Sequence, residues 1–374
     1  MSRYLFASAL AFLCALPGGS QTSAQPARTD PVAEIVDSIV QPWIAQENLP
    51  GVEVGISLLG KRSFYCYGTR DDSGNPFRPD TIVEIGSCTK VFTTTLLAEQ
   101  VIRGELSLDN PAQKYSPPGE HLQPSARAMR LAMLATHTAG LPDDPPGLPR
   151  RLEMRSIRHY TTKDFFRFIS NWQPDGPLPA PYSYSNAGVG LLGYLVADAA
   201  NEEWPRLVAD RITGPLQMLD TSIRPTREKR ARLSQGHRLN GEPAPEWPVF
   251  AWYAAGALRS TPEDMLKFGE ANLGHKTVGT TSVPQQLTAG MKLAQQPRFP
   301  IDNGSLQALG WAVRPQSPGR DLMIRKNGGT DGFSSVIVLC PPKDAVVFVV
   351  TNESKAEATK IGIEIAGHLK RNAN

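Results

Sequence analysis

The sequence of 374 residues contains no long run of lysine or arginine, and its formal net charge is only +3. Proteins that bind nucleic acids through the phosphates carry strongly basic patches, so we expect no nucleic-acid partner. The H-E-x-x-H motif and any cluster of cysteine and histidine are also absent, so we expect neither a metal site nor a cofactor. The G-x-S-x-G nucleophile elbow is missing as well, which disfavours hydrolases built on that turn.

Long hydrophobic runs are absent except at the N-terminus. There Arg3 precedes the apolar residues 4–16, and a Pro-Gly-Gly break and small residues follow. This order is typical of a secretory signal peptide, which we place at residues 1–24. The run is too short for a permanent transmembrane helix, although an uncleaved anchor is the alternative. We therefore expect export to a bacterial periplasm, with no stable membrane anchor after cleavage.

Cysteine is scarce, with four residues in the whole chain. Cleavage of the signal peptide would remove Cys14 and leave Cys66, Cys88 and Cys340. An oxidising compartment permits a disulfide, but three cysteines leave one unpaired and their spacing does not identify it. The pairing therefore stays open.

Strand-like patterns occur near both ends of the chain. Alternating apolar residues in 52–66 predict a β-hairpin, and four apolar runs within 306–352 predict further strands. The segment between them has mostly helical patterns and proline-rich loops. The simplest packing is an α/β fold, in which an antiparallel sheet drawn from both ends carries an inserted helical domain. We place the sheet domain at 30–86 plus 305–374 and the mainly helical domain at 87–304.

The stretch EIGSCTK places Ser87 and Lys90 three residues apart at the start of a predicted helix over 87–103. One helical turn brings such positions onto the same face, so the two side chains are expected to touch. A serine hydroxyl becomes an effective nucleophile when a neighbouring group takes its proton. Chance alone would produce this spacing about once in a chain of this length, so the context decides. Cys88 has no obvious activating partner and is expected to be a buried helix residue.

Two further motifs follow along the chain. The triplet YSN at 184–186 precedes a predicted helix, and KNG at 326–328 ends a predicted strand. This order resembles the S-x-x-K, Y-x-N and K-T-G motifs of the serine β-lactamase and penicillin-binding-protein superfamily. The chain is most similar to the branch that holds class C β-lactamases, D-alanyl-D-alanine carboxypeptidases and some esterases, and stretches such as RGELSLDNPAQKY and LATHTAGLP agree. The resemblance covers roughly residues 32–370 and implies a five-stranded antiparallel sheet flanked by helices.

The resemblance also implies functional roles for individual residues. It gives a catalytic group of Ser87, Lys90 and Tyr184 and a substrate-binding group of Asn186, Lys326, Asn327, Gly328 and Gly329. The backbone N–H groups of Ser87 and Gly329 would be the donors of an oxyanion hole. Lys90 would take the serine proton as a neutral amine, or it would stay charged and stabilise a phenolate on Tyr184. Because coupled groups titrate jointly, the sequence leaves these alternatives open.

Several of these residues also have a purely structural interpretation. Tyr184 could be a core tyrosine, Asn186 could cap the following helix, and Lys326 could be a solvated strand residue. Tyr182 is the rival tyrosine, but only Tyr184 fits the Y-x-N spacing. His137 is expected to be a packed structural residue rather than a catalyst.

Departures from the family pattern bear on the substrate. Asn327 replaces the usual threonine of K-T-G, and Asp143 and Asp144 stand where class C β-lactamases carry a glutamine. No E-x-x-L-N stretch occurs, which disfavours the glutamate-driven deacylation of class A enzymes. Asn352 is similar to a carboxylate-binding asparagine of the family, on a loose local alignment.

We therefore expect a monomeric serine hydrolase that acts on a small β-lactam or a peptidoglycan peptide, with class C-like β-lactamase activity as the leading interpretation. A D-alanyl-D-alanine carboxypeptidase or endopeptidase and an esterase of the same family are the enzymatic alternatives. A penicillin-binding module that stays acylated is the non-enzymatic one. All of them predict acylation of Ser87, so the sequence does not choose among their substrates.

Overall fold

The structure of the chain, a computed structural model, describes residues 30–116, 119–147, 154–301, 304–354 and 356–371. The predicted signal peptide lies outside the described residues. The helices within these ranges are α1 (Pro31–Glu47), α2 (Thr89–Ile102), α3 (Leu131–Ala135), α4 (Met154–His159), α5 (Thr162–Asn171), α6 (Asn186–Ala199), α7 (Trp204–Val208), α8 (Pro262–Leu273), α9 (Gln285–Ala294) and α10 (Ala358–His368). The strands are β1 (Gly51–Leu58), β2 (Lys61–Gly68), β3 (Val83–Glu84), β4 (Arg259–Ser260), β5 (Thr277–Val278), β6 (Thr281–Ser282), β7 (Phe299–Pro300), β8 (Leu306–Gln307), β9 (Ala312–Arg314), β10 (Met323–Gly329), β11 (Ser334–Cys340) and β12 (Ala345–Thr351).

One antiparallel sheet of eight strands dominates the fold, in the order β2-β1-β12-β11-β10-β9-β8-β7. Both ends of the chain contribute to it, because β1 pairs with β12 and β12 pairs with β11. The expected α/β fold with an antiparallel sheet and flanking helices is confirmed, but the expected count of five strands is wrong. The strands β7, β8 and β9 are two or three residues long, which is too short to show the two-residue periodicity that reveals a strand in a sequence.

The central strands β11 and β12 have both faces buried, which explains their uninterrupted apolar sequences. One face of the sheet packs against α1 and α10. The other face packs against α8, where Gly55 of β1 faces Leu266 and Gly269 of α8 faces Val346. Since α8 comes from the middle of the chain, the sheet and the helical segment share one hydrophobic core. The domain boundaries stay a prediction.

Helix α2 lies at the centre of this core and is buried at every residue from Thr89 to Gln100. A helix that is buried all round needs neighbours on every side, and α6, α9 and the 3₁₀ turn Tyr253–Ala255 supply them. The 3₁₀ turn Gly86–Cys88 precedes α2. The helix predicted over 87–103 therefore begins with a tighter turn.

The three cysteines that follow the predicted signal peptide, Cys66, Cys88 and Cys340, are free thiols. Among the described residues, no helix combines the length and the apolar character that crossing a bilayer requires. The same part of the chain also brings no three His, Cys, Asp or Glu side chains together as a possible metal site.

Two glycines of α10 provide a test of the packing on the sheet. A Cβ at Gly362 would lie 2.5 Å from Val336 Cγ1, whereas a Cβ at Gly367 would meet no atom within 4 Å. We expect Gly362→Ala to lower the free energy of unfolding by roughly 1–3 kcal/mol, because the helix must move off the sheet. Gly367→Ala is the matched control, and its higher helix propensity should leave stability unchanged or raise it by up to about 1 kcal/mol. Urea denaturation measures both, and equal losses would contradict this packing.

Candidate active site

The turn Gly86–Cys88 packs directly against the end of β10. Gly86 has a φ of 48°, and a Cβ there would lie 2.6 Å from the backbone nitrogen of Gly329. A Cβ at Gly328 would lie 2.1 Å from the carbonyl oxygen of Ile85. Only glycine allows backbones to approach so closely. This approach brings the backbone of Ser87 beside that of Gly329, the pair for which the family resemblance implies an oxyanion hole.

Lys90 is completely buried and contacts the hydroxyl of Ser87. Its Nζ lies 3.0 Å from Ser87 Oγ, 2.5 Å from Asn186 Oδ1 and 2.8 Å from the carbonyl oxygen of Ala255. The expected contact between Ser87 and Lys90 is therefore present. Residues from three separate segments of the chain surround the amine.

Two carboxylates fix the orientation of the Asn186 amide. Asn186 Nδ2 donates to Asp143 Oδ1 at 2.9 Å and to Asp144 Oδ1 at 3.3 Å. Because the amide nitrogen faces these acceptors, the amide oxygen faces Lys90. Asp143 and Asp144 thus act on Lys90 through the amide between them.

The N-terminus of α6 holds the same segment in place. The backbone carbonyl of Asp143 accepts from the N–H groups of Asn186 and Ala187 at 2.7 and 2.9 Å. The side chain of Ser185 is the N-cap and accepts from the N–H of Gly188. The interpretation of Asn186 as the helix cap is therefore wrong.

The surroundings of Lys90 favour its neutral form, and its contacts are compatible with that form. The oxygens of Asn186 and Ala255 can only accept hydrogen bonds, so they take two N–H groups of the amine. In a neutral amine the remaining lone pair would face the proton of Ser87. Burial lowers the pKa of Lys90 well below its ordinary value, and the nearby ammonium of Lys326 lowers it further.

Tyr184 lies against both lysines. Its ring centroid is 4.8 Å from Lys90 Nζ and 5.1 Å from Lys326 Nζ, and its hydroxyl shares a hydrogen bond with Ser87. Burial raises the pKa of the Tyr184 phenol, and the hydrogen bond to Ser87 only partly opposes this. The protonated phenol is therefore favoured over the phenolate. Of the two proton acceptors that the sequence leaves open, these contacts support the amine.

His137 packs behind Tyr184, with the ring centroids 4.6 Å apart. Its Nδ1 accepts from the backbone N–H of Ser185 at 3.1 Å. Burial lowers the pKa of this imidazole well below its ordinary value, so the neutral ring is favoured. His137 is thus a packed residue that supports the Y-x-N segment.

Lys326 is buried, contrary to its interpretation as a solvated strand residue. Its Nζ donates to the carbonyl oxygen of Asn327 at 2.9 Å, and burial lowers its pKa to about 8. The side chain of Asn327 is exposed, so its backbone carbonyl, rather than its amide, takes part in this contact. Cys88 Sγ donates to the carbonyl oxygen of Lys326 at 3.3 Å, which makes Cys88 a buried packing residue.

Ser87, Asn186 and Gly329 open into a cleft of about 980 Å³. Its walls include aromatic residues that the sequence patterns do not single out, namely Trp247, Phe250 and Trp252. The carbonyl of Ala255, which holds Lys90, also escapes sequence reasoning, because a backbone carbonyl has no residue-type signature.

Glu84 is a buried carboxylate that the motifs also miss. Its Oε1 accepts from the backbone N–H of Trp247 at 2.6 Å, and its Oε2 accepts from the hydroxyl of Thr330 at 2.7 Å. It thereby ties the segment before Ser87 to the residue that follows Gly329. A charged residue inside the apolar stretch before S-x-x-K is the signal that could have revealed it.

Asn352 does not face a substrate. Its Nδ2 donates to the backbone carbonyls of Thr69 and Gln235, at 3.1 Å each, and the side chain is fully buried. These contacts make it a structural residue that joins three segments, rather than a ligand for a substrate carboxylate.

Comparison with known proteins gives a consistent picture. The family model described as Beta-lactamase matches residues 36–369. A beta-lactamase of Psychrobacter immobilis is 28% identical, over 91% of this chain and 88% of that protein. The D-alanyl-D-alanine-carboxypeptidase/endopeptidase AmpH of Escherichia coli K12 is also 28% identical, over 95% of this chain and 92% of that protein. Two kinds of hydrolase are thus equally similar.

Solved structures agree with the fold. A beta-lactamase from Sulfitobacter sp. EE-36 has a TM-score of 0.77 at 26% identity, covering 90% of this chain and 96% of that one. A class C beta-lactamase has a TM-score of 0.79 at 22% identity, covering 91% and 97%, which establishes the shared fold alone.

The burial of Lys326 predicts a pH dependence. If its ammonium binds a substrate carboxylate, kcat/KM for a carboxylate-bearing acyl substrate should fall as the pH rises through about 8, where Lys326 loses its proton. The decline should be visible in kcat/KM, because the pH dependence of that quantity reports the pKa values of the free enzyme. A neutral ester such as p-nitrophenyl acetate needs no such charge and should not show this decline.

Initial rates for both substrates across this pH range make the comparison, with the rates of Ser87→Ala subtracted as background. Lys326→Met should remove the difference between the two profiles. Identical profiles in the unmodified protein would exclude Lys326 as the carboxylate-binding group.

Proposed function

Because this chain belongs to the β-lactamase family, we propose that it hydrolyses β-lactam antibiotics through an acyl-enzyme on Ser87, in the manner of a class C enzyme. The strongest support is the 3.0 Å contact of Ser87 Oγ with the buried Nζ of Lys90, beside the backbone of Gly329. A nucleophile, a proton acceptor and an oxyanion site would then act on one acyl carbon.

In the acylation step, Ser87 Oγ attacks the lactam carbonyl carbon and its proton passes to the neutral amine of Lys90. The N–H groups of Ser87 and Gly329 donate to the oxyanion that develops, and loss of one such donor typically costs about 100- to 1,000-fold in rate. When the ring C–N bond breaks, the lactam nitrogen takes a proton from the Tyr184 hydroxyl. The phenol regains its proton from the Lys90 ammonium, so the proton balance closes.

In the deacylation step, a water molecule attacks the ester carbonyl and gives its proton to the same pair of Lys90 and Tyr184. Ser87 Oγ then leaves and recovers a proton. During both steps the ammonium of Lys326 holds the substrate carboxylate, and the amide of Asn186 keeps Lys90 aligned.

A D-alanyl-D-alanine carboxypeptidase or endopeptidase is the second candidate. AmpH is as similar to this chain as the beta-lactamase of Psychrobacter immobilis, and the acylation step would be the same. Asp143, Asp144 and Asn327 are departures from the family pattern that replace none of the proposed acylating groups. An esterase or a module that stays acylated would differ only in the leaving group or in the rate of deacylation.

We also propose that residues 1–24 direct export to a periplasm and are then removed, and that the mature protein acts as a monomer on a small substrate. N-terminal sequencing of the secreted protein tests the cleavage. Light scattering during size-exclusion chromatography tests the oligomeric state.

Turnover separates the candidate functions. The purified protein is incubated with a chromogenic cephalosporin, a penicillin, a D-Ala-D-Ala peptide and p-nitrophenyl acetate while products and intact mass are followed. We expect fast lactam turnover with a transient acyl mass on Ser87, and Ser87→Ala should abolish every activity. Peptide cleavage with slow lactam release would favour the peptidase, and a persistent adduct would favour the non-enzymatic module. Residual turnover in Ser87→Ala would exclude this serine as the nucleophile.

Two neighbouring tyrosines test the proton transfer. General acid–base groups typically contribute about 100- to 10,000-fold, so we expect Tyr184→Phe to lower kcat at least about 100-fold. Tyr182→Phe is the matched control, because Tyr182 is more exposed and also packs near His137, edge-on with the ring centroids 5.9 Å apart. It should keep a near-normal rate. Stopped-flow acylation and steady-state kcat measure both. A near-normal Tyr184→Phe would remove the phenol from the mechanism.

A further inference from the structure

Groups of opposite charge lie on either side of the proposed acylating residues. On one side, Lys326 Nζ lies 5.1 Å from the ring centroid of Tyr184. On the other side, Asp144 lines the cleft and accepts a hydrogen bond from Asn186 Nδ2 at 3.3 Å. Lys90 lies between the two, because its Nζ is 4.8 Å from the Tyr184 ring centroid and 2.5 Å from Asn186 Oδ1. Burial disfavours the charged form of this amine, so it does not fully compensate the charge of Asp144.

Asp144 adjoins an aromatic wall of the same cleft. Its carboxylate hydrogen-bonds to the side chain of Trp252. The rings of Trp252 and Phe250 are 4.9 Å apart, and those of Phe250 and Trp247 are 5.9 Å apart. All three rings line the cleft. An acyl group on Ser87 would therefore find an apolar surface and a carboxylate side by side.

Among the residues of the cleft lining that the structure describes, Asp144 has no cationic partner of its own. The guanidinium of Arg238 is paired with Asp331 at 3.0 Å, and Glu242 adds a second negative group to the lining. Burial raises the pKa of Asp144, and the neighbouring carboxylate of Asp143 raises it further. A cation bound at Asp144 would offset these effects, because an opposite charge favours the ionised carboxylate.

We propose that the cleft selects substrates whose acyl side chain carries an ammonium group, with Asp144 as the specificity-determining residue. This inference rests on the proposed function, since it concerns the acyl group that is transferred to Ser87. A zwitterionic substrate would place its carboxylate at Lys326 and its ammonium at Asp144, so both charges would be compensated. A side chain that carries a carboxylate would be repelled by Asp144.

Three penicillins that differ at a single α-substituent test the inference. Benzylpenicillin has a hydrogen at this position, ampicillin an ammonium group and carbenicillin a carboxylate. At about pH 6 an α-amino group is largely protonated. We expect kcat/KM for ampicillin to exceed that for benzylpenicillin about fivefold or more, and kcat/KM for carbenicillin to be lower than that for benzylpenicillin by a similar factor.

Two variants localise the effect. Asp144→Asn keeps the shape and removes the charge, and it should bring the three kcat/KM values to within about twofold of one another. Glu242→Gln removes a negative charge from another part of the cleft lining. This control variant should preserve the order of the three kcat/KM values. An unchanged order in Asp144→Asn, or equal values in the unmodified protein, overturns the inference.

A second measurement covers the case in which Asp144→Asn does not fold. In the unmodified protein, the differences in kcat/KM among the three penicillins should shrink as salt is added, because salt screens a partly exposed charge. If the differences in kcat/KM among the three penicillins do not respond to salt, they do not arise from charge, and the inference is overturned.

Failure of the inference differs from failure of the proposed function. If the penicillins acylate the protein without turnover, the same order is expected in the rates of acylation. If only D-Ala-D-Ala peptides are cleaved, two peptides replace the penicillins, one with a free side-chain amine and one in which that amine is acetylated. The peptide with the free amine should then have the higher kcat/KM. A protein that none of these substrates acylates overturns the proposed function, and the inference with it.

Discussion

The close contact between the turn Gly86–Cys88 and the end of β10 is the constraint on which the rest of the site depends. Because Gly86 and Gly328 have no Cβ, the backbone that precedes Ser87 approaches the strand to distances that any side chain would prevent. The backbones of Ser87 and Gly329 therefore lie next to each other before a substrate arrives. Donors that are fixed in advance need no reorganisation when charge develops on a substrate, which is the main source of their catalytic effect.

A second constraint sets the state of the buried amine. Asp143 and Asp144 orient the amide of Asn186, and that amide presents its oxygen to Lys90. The charges of the two carboxylates by themselves raise the pKa of Lys90, but burial and the neighbouring Lys326 outweigh them. The rim carboxylates thus influence the amine chiefly through geometry, and the low-dielectric surroundings decide its charge.

Sequence reasoning was most informative where a function needs particular side chains at fixed spacing. One helical turn was enough to predict the contact of Ser87 with Lys90, and the Y-x-N spacing distinguished Tyr184 from Tyr182. It failed for the edge of the sheet, because strands of two or three residues such as β7 and β8 have no detectable period. It also failed for the carbonyl of Ala255, since any residue could supply that oxygen. The aromatic wall of the cleft comes from a loop without periodic pattern, and only the fold brings it to Ser87.

The proposed acylating groups and the residues that depart from the family pattern lie in different environments. Lys90 and Lys326 are buried, and their contacts with protein atoms leave them little freedom. Asp143 and Asn327 are exposed, so a change of residue there alters the surface of the site, and Asp143 also orients the Asn186 amide that contacts Lys90. Relatives named for two different hydrolytic reactions can therefore be equally similar to this chain. Under the proposed function, the three motifs account for acylation, whereas the groups around them would decide which substrate is accepted.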